Sequence, residues 1–330
     1  MADTFECFYV EKDSAGQILR GMKTLRKSAL PVGDVLVRVQ YSSLNYKDAL
    51  AAGGHPGVVR SLPHVPGIDA AGIVEESTSP NAKPGDQVII TGYDLGAGHW
   101  GGWSQYVRVP AGWIVPVPPG LTLRETMILG TAGFTAAQCV QALVTNGIEP
   151  SAGEIVVTGA TGGVGSLAVK LLAQLGYSVV AVTGKAHLTD QLRGWGAKQV
   201  IGREEVLNTS PKPLLSSRWA GAVDTVGGQT LTTIIRQTRD YGVVAACGLV
   251  GGAELPLTVH PFLLRGVILA GIASAALPHG RRLGIWEKLS GPWKISGLDA
   301  LATEVPLASL EDKVQQILQG EIVGRTIVKL

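Results

Sequence analysis

Residues 154–165 read EIVVTGATGGVG. An apolar, β-branched run enters Gly159, Gly162, Gly163 and Gly165, and a segment with Ala168, Leu171, Leu172 and Leu175 on one helical face follows. A strand that ends in a glycine turn opening a helix is the phosphate-binding turn of a dinucleotide fold. The glycines allow a tight turn, close approach of backbone to a pyrophosphate, and close packing of helix on strand. The helix start adds unpaired N–H groups and the positive end of the helix dipole. A glycine-rich turn without a ligand is the competing reading. The context opposes it, because the motif sits inside a longer alternation of strands and helices.

That alternation continues through strand Ser178–Thr183, helix Leu188–Trp195, strands Gln199–Ile201 and Ala222–Thr225, helix Gln229–Arg239 and strand Gly242–Cys247. Repeated βαβ units imply an α/β fold with a doubly wound parallel sheet of Rossmann type, covered on both faces. A helical period over Thr126–Leu143 precedes it, so this domain is expected over residues 126–262. Residues 1–125 read differently. Short Val-, Ile- and Tyr-rich runs, Val35–Gln40, Gly72–Glu75, Gln87–Thr91 and Ser104–Val109, alternate with Pro and Gly clusters, which predicts a β-rich domain. Residues 263–330 add an amphipathic helix near Leu310–Gln319 and a strand-like end, Arg325–Leu330.

The second strand of the βαβ run ends in Thr183-Gly184-Lys185. An Asp or Glu there would hold the ribose diol of NAD, yet no acid occurs between Gly165 and Asp190. A lysine neutralises a 2′-phosphate and a threonine hydroxyl bonds it, so the cofactor is expected to be NADPH. Arg193 is a second candidate cation. The alternative for Lys185 is a solvated loop residue, since exposed lysines are common.

The whole chain narrows the class. Its 330 residues suit two domains, and 45% hydrophobic with 16% charged residues suits folded cores. A net charge of +2 gives no single-sign field of the kind nucleic-acid binders carry. Cys7, Cys139 and Cys247 are odd in number and far apart, which predicts no disulfide framework and a cytoplasmic setting. The start, MADTFECFYVEKD, puts acids where a signal peptide needs bases. The apolar stretches Gly242–Gly252 and Val267–Leu277 fall short of the ~20 residues of a membrane helix. No membrane or nucleic-acid partner is expected.

Several motifs together resemble one family: SSLNYKDAL (42–50), PGIDAAG (66–72), HWGG (99–102), GTAGFTA (130–136), the glycine loop, DTVGG (224–228), ACGL (246–249) and GRTIVKL (324–330). The chain is similar to the zinc-independent quinone-oxidoreductase branch of the medium-chain dehydrogenase/reductases. Within it, the YhdH/YhfP type, with its NADPH-dependent acrylyl-CoA reductases, is the nearest likeness. The resemblance implies a GroES-like catalytic domain, 1–125 completed by 263–330, around an inserted Rossmann NADP-binding domain, 126–262. It also implies a homodimer and a small-molecule substrate. It places Tyr46, Thr161, Gly162, Gly163, Val164, Thr183, Gly184, Lys185, Leu249 and Ser274 at the cofactor. Two departures stand out. Lys185 takes a position where relatives carry arginine, keeping the charge and losing the two-pronged grip on phosphate. Gln319-Gly320-Glu321 stands where relatives have asparagines beside the cofactor.

Metal is expected to be absent. Zinc-dependent relatives use a cysteine in the 42–48 segment and Gly-His-Glu at 67–69; here these read SSLNYKD and Gly67-Ile68-Asp69. Four clustered cysteines of a structural zinc are also missing. His55, His64 and His99 match no ligand spacing and read as surface or structural residues. Without a Lewis acid, reduction of an alkene activated by its own carbonyl is the easier chemistry.

Hydride would reach the β-carbon and a proton the α-carbon, so the protein must orient the cofactor and stabilise an enolate. Tyr46 is the catalytic candidate, as proton or hydrogen-bond donor to the enolate, or as a pocket wall with water as the acid. Asp48 reads as a helix cap, and Asp69 as a carboxylate tying two loops. Arg325 either meets an anionic substrate or pins the last strand. Trp100 and Trp103 read as packing residues or cleft lining. The functions in contention are a 2-enoyl-thioester (acrylyl-CoA) reductase, a quinone or general enone reductase, and a non-enzymatic NADPH-binding protein.

Overall fold

The computed structural model describes residues 3–330. In chain order the elements begin with β1 (Thr4–Lys12), β2 (Ile18–Arg26), β3 (Val35–Leu44), α1 (Tyr46–Ala52), β4 (Asp69–Ser77), β5 (Gln87–Thr91), β6 (Tyr106–Val109), β7 (Val115–Pro116) and α2 (Leu123–Thr145). They continue with β8 (Glu154–Val157), α3 (Gly163–Gln174), β9 (Ser178–Val182), α4 (Thr189–Gly194), β10 (Gln199–Ile201), β11 (Trp219–Asp224), α5 (Gly228–Gln237), β12 (Thr238–Ala246), α6 (His260–Arg265) and β13 (Ile268–Gly271). Last come α7 (His279–Ser290), β14 (Ala302–Pro306), α8 (Leu310–Leu318) and β15 (Arg325–Lys329).

The chain forms two compact units. The first holds residues up to Thr131 together with Ala275–Pro292 and Ser296–Leu330; the second holds Ala132–Ser274 and Trp293–Ile295. In the first, a seven-stranded, mostly antiparallel sheet has the order β14-β15-β3-β4-β5-β7, with β6 paired to β3, and β1–β2 make a separate hairpin. Alternation along β3 puts Val35, Val37 and Val39 into a core with Val74, Val88, Ile90, Val107 and Val109. A second core, with Phe5, Phe8, Leu44, Trp103, Leu310 and Val328, lies where α1 and α8 pack.

The second unit is a six-stranded sheet, β10-β9-β8-β11-β12-β13, in which every pairing is parallel. This is the strand order of a Rossmann sheet, with its switch between β8 and β11. Both faces are covered, and the strands are accordingly apolar throughout: Ile155–Val157, Val179–Val182 and Val243–Ala245 are all buried.

The structure differs from expectation in four places, the last of them inside α2. The Rossmann sheet does not stop near 262, because Val243–Ala246 of β12 pair with Ile268–Gly271 of β13. The tail carries α7 besides α8; Gly280 and Gly284 hide its period, and the buried Arg282 holds it by donating to Thr91 O at 2.8 Å. Helix α5 stops at Gln237, where Thr238 already begins β12. The longest helix, α2, is apolar enough by length and composition to cross a membrane, but 78% of its most apolar window is buried, as in a core helix. It is also broken at Gly130, whose backbone (φ 49°, ψ −154°) is not helical.

Candidate active site

All strands of the second unit run parallel, so the loops that follow them share one edge. Thr161–Val164 follow β8, Thr183–Lys185 follow β9, Leu249 follows β12 and Ser274 follows β13. Sequence reasoning had singled out each of these positions, and the sheet gathers them.

The glycine loop is shaped by contacts that allow no side chain. Gly159 has φ +56°, and a Cβ there would lie 2.3 Å from Thr225 Oγ1. A Cβ on Gly165 would lie 2.2 Å from Gly159 O. Helix α3 therefore starts directly against the loop. Its N-cap is Gly162, which has no side chain to cap it, and the first amide to close a helical turn is Ser166 N–H on Gly162 O, at 2.9 Å. The amides ahead of it have no partner within the helix and present an anion site. These are the features a pyrophosphate requires.

At the end of β9, Thr183 is buried and its Oγ1 accepts Lys185 N–H at 3.0 Å. Arg193 is exposed on α4, with Asp190 as its ion-pair partner at 3.6 Å. A further cation stands at this loop. A Cβ on Gly184 would lie 2.6 Å from Nε and 2.7 Å from Cζ of Arg203. That guanidinium, from the turn after β10, occupies the space beside Gly184 that a side chain would fill. Nothing in the sequence linked Arg203 to this loop, because only the parallel pairing of β9 with β10 brings them together.

In the first unit, Tyr46 is the first residue of α1 and is 43% exposed. Its position is set from below. Asp48 is buried and accepts Asn45 N–H at 2.8 Å and Ile68 N–H at 2.7 Å, so it caps α1. Burial, with the Asp69 charge as the smaller cause, pushes the Asp48 carboxyl up to about 7, against the backbone N–H groups that favour its charge.

Asp69 is also fully buried. It accepts Ser43 Oγ at 2.6 Å, Asn45 Nδ2 at 2.8 Å, Thr131 N–H at 3.0 Å and Thr131 Oγ1 at 2.6 Å. Arg325, 2% exposed, has Nη2 4.0 Å from Asp69 and donates to Ile128 O, Leu44 O and Asn45 Oδ1 at 2.8, 3.3 and 3.1 Å. It pins β15 to the foot of α1 and is too buried to meet a substrate. Trp103 is likewise packing: fully buried, edge-on to Phe8, with Nε1 bonded to Ser43 O at 2.9 Å.

This arrangement does not fit a zinc ion. Asp69, in the segment where zinc-dependent relatives place ligands, has both oxygens filled by O–H and N–H donors. Among the described residues no group of three or more His, Cys, Asp or Glu converges as a metal set.

Residues 31–119 match the alcohol dehydrogenase GroES-like domain, and residues 163–283 match the zinc-binding dehydrogenase family. The acrylyl-CoA reductase AcuI of Ruegeria pomeroyi is 47% identical over 325 residues, 98% of each chain. The crystal structure of Escherichia coli K-12 YhdH with bound NADPH superposes with a TM-score of 0.94 at 46% identity, covering 98% of this chain and 99% of that one. Bacillus subtilis YhfP, which carries a quinone-oxidoreductase name and was crystallised with NAD, superposes with a TM-score of 0.96 at 44% identity over the full length of both chains. The chain belongs to the medium-chain dehydrogenase/reductase family, in the group that holds the AcuI acrylyl-CoA reductases and YhfP.

Proposed function

We propose that this oxidoreductase binds NADPH and reduces the carbon–carbon double bond of a 2-enoyl thioester, acrylyl-CoA, to the saturated thioester. The observation that carries the reading is full-length likeness to AcuI in a chain whose own residues suit the chemistry. The amides at the start of α3 hold the pyrophosphate, and Thr183, Lys185 and Arg203 hold the 2′-phosphate. When bound, NADPH supplies the hydride that adds to the β-carbon. Tyr46 donates a hydrogen bond to the enolate oxygen as it develops, and water supplies the proton that completes the α-carbon. No zinc is needed, because the thioester carbonyl takes up the charge.

We also propose a homodimer and a cytoplasmic setting. The dimer is supported by β13, an edge strand with exposed Ile268, beside the exposed Val259, Leu263 and Leu264. The setting is supported by three free cysteines.

Incubation of purified protein with acrylyl-CoA and NADPH in D2O tests the chemistry. Propionyl-CoA bearing one deuterium at its α-carbon, formed one-for-one with NADPH oxidised, is the expected product. A quinol from quinones, with acrylyl-CoA untouched, would favour the activity in YhfP's name.

A further inference from the structure

The buried carboxylate of Asp224 lies outside the chemistry above, yet it bonds to two loops of the nucleotide edge at once. Asp224 is the last residue of β11, beside the switch between β8 and β11, and it is fully buried. Its Oδ1 accepts Thr158 Oγ1 at 2.7 Å, from the residue that enters the glycine loop at Gly159. Its Oδ2 accepts Gly227 N–H at 2.7 Å, from the loop that leads into α5. Thr158 and Thr225 close the same knot: Thr158 Oγ1 accepts Thr225 N–H, and Thr158 O accepts Thr225 Oγ1, both at 2.9 Å. The backbone oxygen of Asp224 accepts Cys247 N–H at 2.9 Å, at the end of β12. Just beyond, a Cβ on Gly248 would lie 2.0 Å from Thr225 O.

No cation accompanies this charge. Among the described residues Asp224 has no ion pair; the Cys139 thiol, from α2, interacts with it electrostatically, and the Cys247 thiol, just after β12, donates to its backbone oxygen at 3.4 Å. Burial pushes its carboxyl up, while Thr158, Gly227 and Val226 hold it down by donating to it. A carboxylate suits this place for a chemical reason. Both oxygens face donors, and an ionised carboxylate alone accepts on both sides without presenting a hydrogen. An amide of the same shape would turn an NH2 toward Thr158 or Gly227.

We propose that Asp224 is a positioning residue for the dinucleotide, its carboxylate locking the loops after β8, β11 and β12 into one cradle. The inference rests on the reading of this edge as a dinucleotide site. The lock acts on backbone common to both cofactors, so it affects NADPH and NADH alike. It is tightest in the ionised form, because a proton on Oδ2 would face the Gly227 N–H and one on Oδ1 would force the Thr158 hydroxyl to turn from donor to acceptor.

Fluorescence titration of NADPH and NADH against wild type and Asp224→Asn tests this. Asp224→Asn is expected to weaken both cofactors by the same factor, tenfold or more, with kcat at saturating cofactor largely kept. A pH series with NADH, which lacks a titrating 2′-phosphate, gives a readout that a merely structural role would not move. Wild-type affinity is expected to fall as pH drops through the Asp224 titration, and the variant to be flat there. Thr158→Val, which removes one donor and leaves the carboxylate, carries the test if Asp224→Asn does not fold; it is expected to weaken both cofactors, and Thr158→Ser to restore them. Unchanged affinities in a folded variant, or loss confined to NADPH, would overturn the proposal. If wild type binds neither cofactor, the dinucleotide reading falls first and this proposal with it.

Discussion

Arg203 and Lys185 approach the end of β9 differently, and their chemistry differs too. Arg203 brings its guanidinium beside Gly184 from a neighbouring strand's turn, whereas Lys185 belongs to the loop itself. A charge-assisted hydrogen bond is worth about 1.5–3 kcal/mol. Arg203→Ala is therefore expected to weaken NADPH about 10- to 100-fold, at about 1.4 kcal/mol per tenfold, and to leave NADH nearly unchanged in parallel titrations. Equal loss for both cofactors would make Arg203 structural. Tyr46→Phe should bind NADPH normally and turn over about 10²–10⁴-fold more slowly in steady-state assays. A loss under about threefold would make Tyr46 only a wall of the pocket. At this scale the sequence displayed Tyr46 and the Thr183-Gly184-Lys185 loop, because each lies inside a contiguous motif. It hid Arg203, which a strand pairing delivers from the far side of a βαβ unit.

Among elements, the break in α2 does the most. Gly130 leaves helical geometry, and a Cβ there would lie 2.5 Å from Asp69 Oδ2. The break lets Thr131 N–H turn to Asp69, and Asp69 in turn holds Asn45 and the start of α1. A helical period running straight through GTAGFTA gave no hint of it. The hidden α7 has the same kind of cause, a tertiary contact of Arg282 overriding a weak local signal; the strand at 267–271 was legible, and only its pairing with β12 was not. The cap of α1 makes a pH prediction. Asp48 rises from the usual 3.8 to about 7 in the folded chain, so the native state holds this proton more tightly than the unfolded chain. That contribution is full below the unfolded value and is lost as pH rises toward 7, at about 1.4 kcal/mol per unit of separation. Asp48→Asn removes it. Urea denaturation of both proteins should show the wild type losing ground to the variant between pH 4.5 and 7.5. Parallel stability profiles would contradict the shift.

For the whole molecule, composition and the order of β-rich, βαβ and returning segments were enough to anticipate a parallel Rossmann-type sheet beside a β-rich domain; that the latter is GroES-like followed from the family resemblance. The covered, parallel sheet writes itself as continuous apolar strands, which is why it was legible. Assembly was not legible, since it depends on which apolar residues stay exposed. Leu263 is 77% exposed and Leu264 65%, beside the β13 edge. Light scattering should give a dimer for wild type and a folded monomer for Leu263→Glu; a wild-type monomer would contradict the proposed assembly. A zinc-free, NADPH-dependent reduction of an enoyl thioester is tested by comparing kcat/KM for acrylyl-CoA and 1,4-benzoquinone with NADPH, with and without a chelator. Higher efficiency with acrylyl-CoA, indifferent to the chelator, is the expected result; rapid quinone turnover with no acyl-CoA reduced, or activity lost to the chelator, would contradict it.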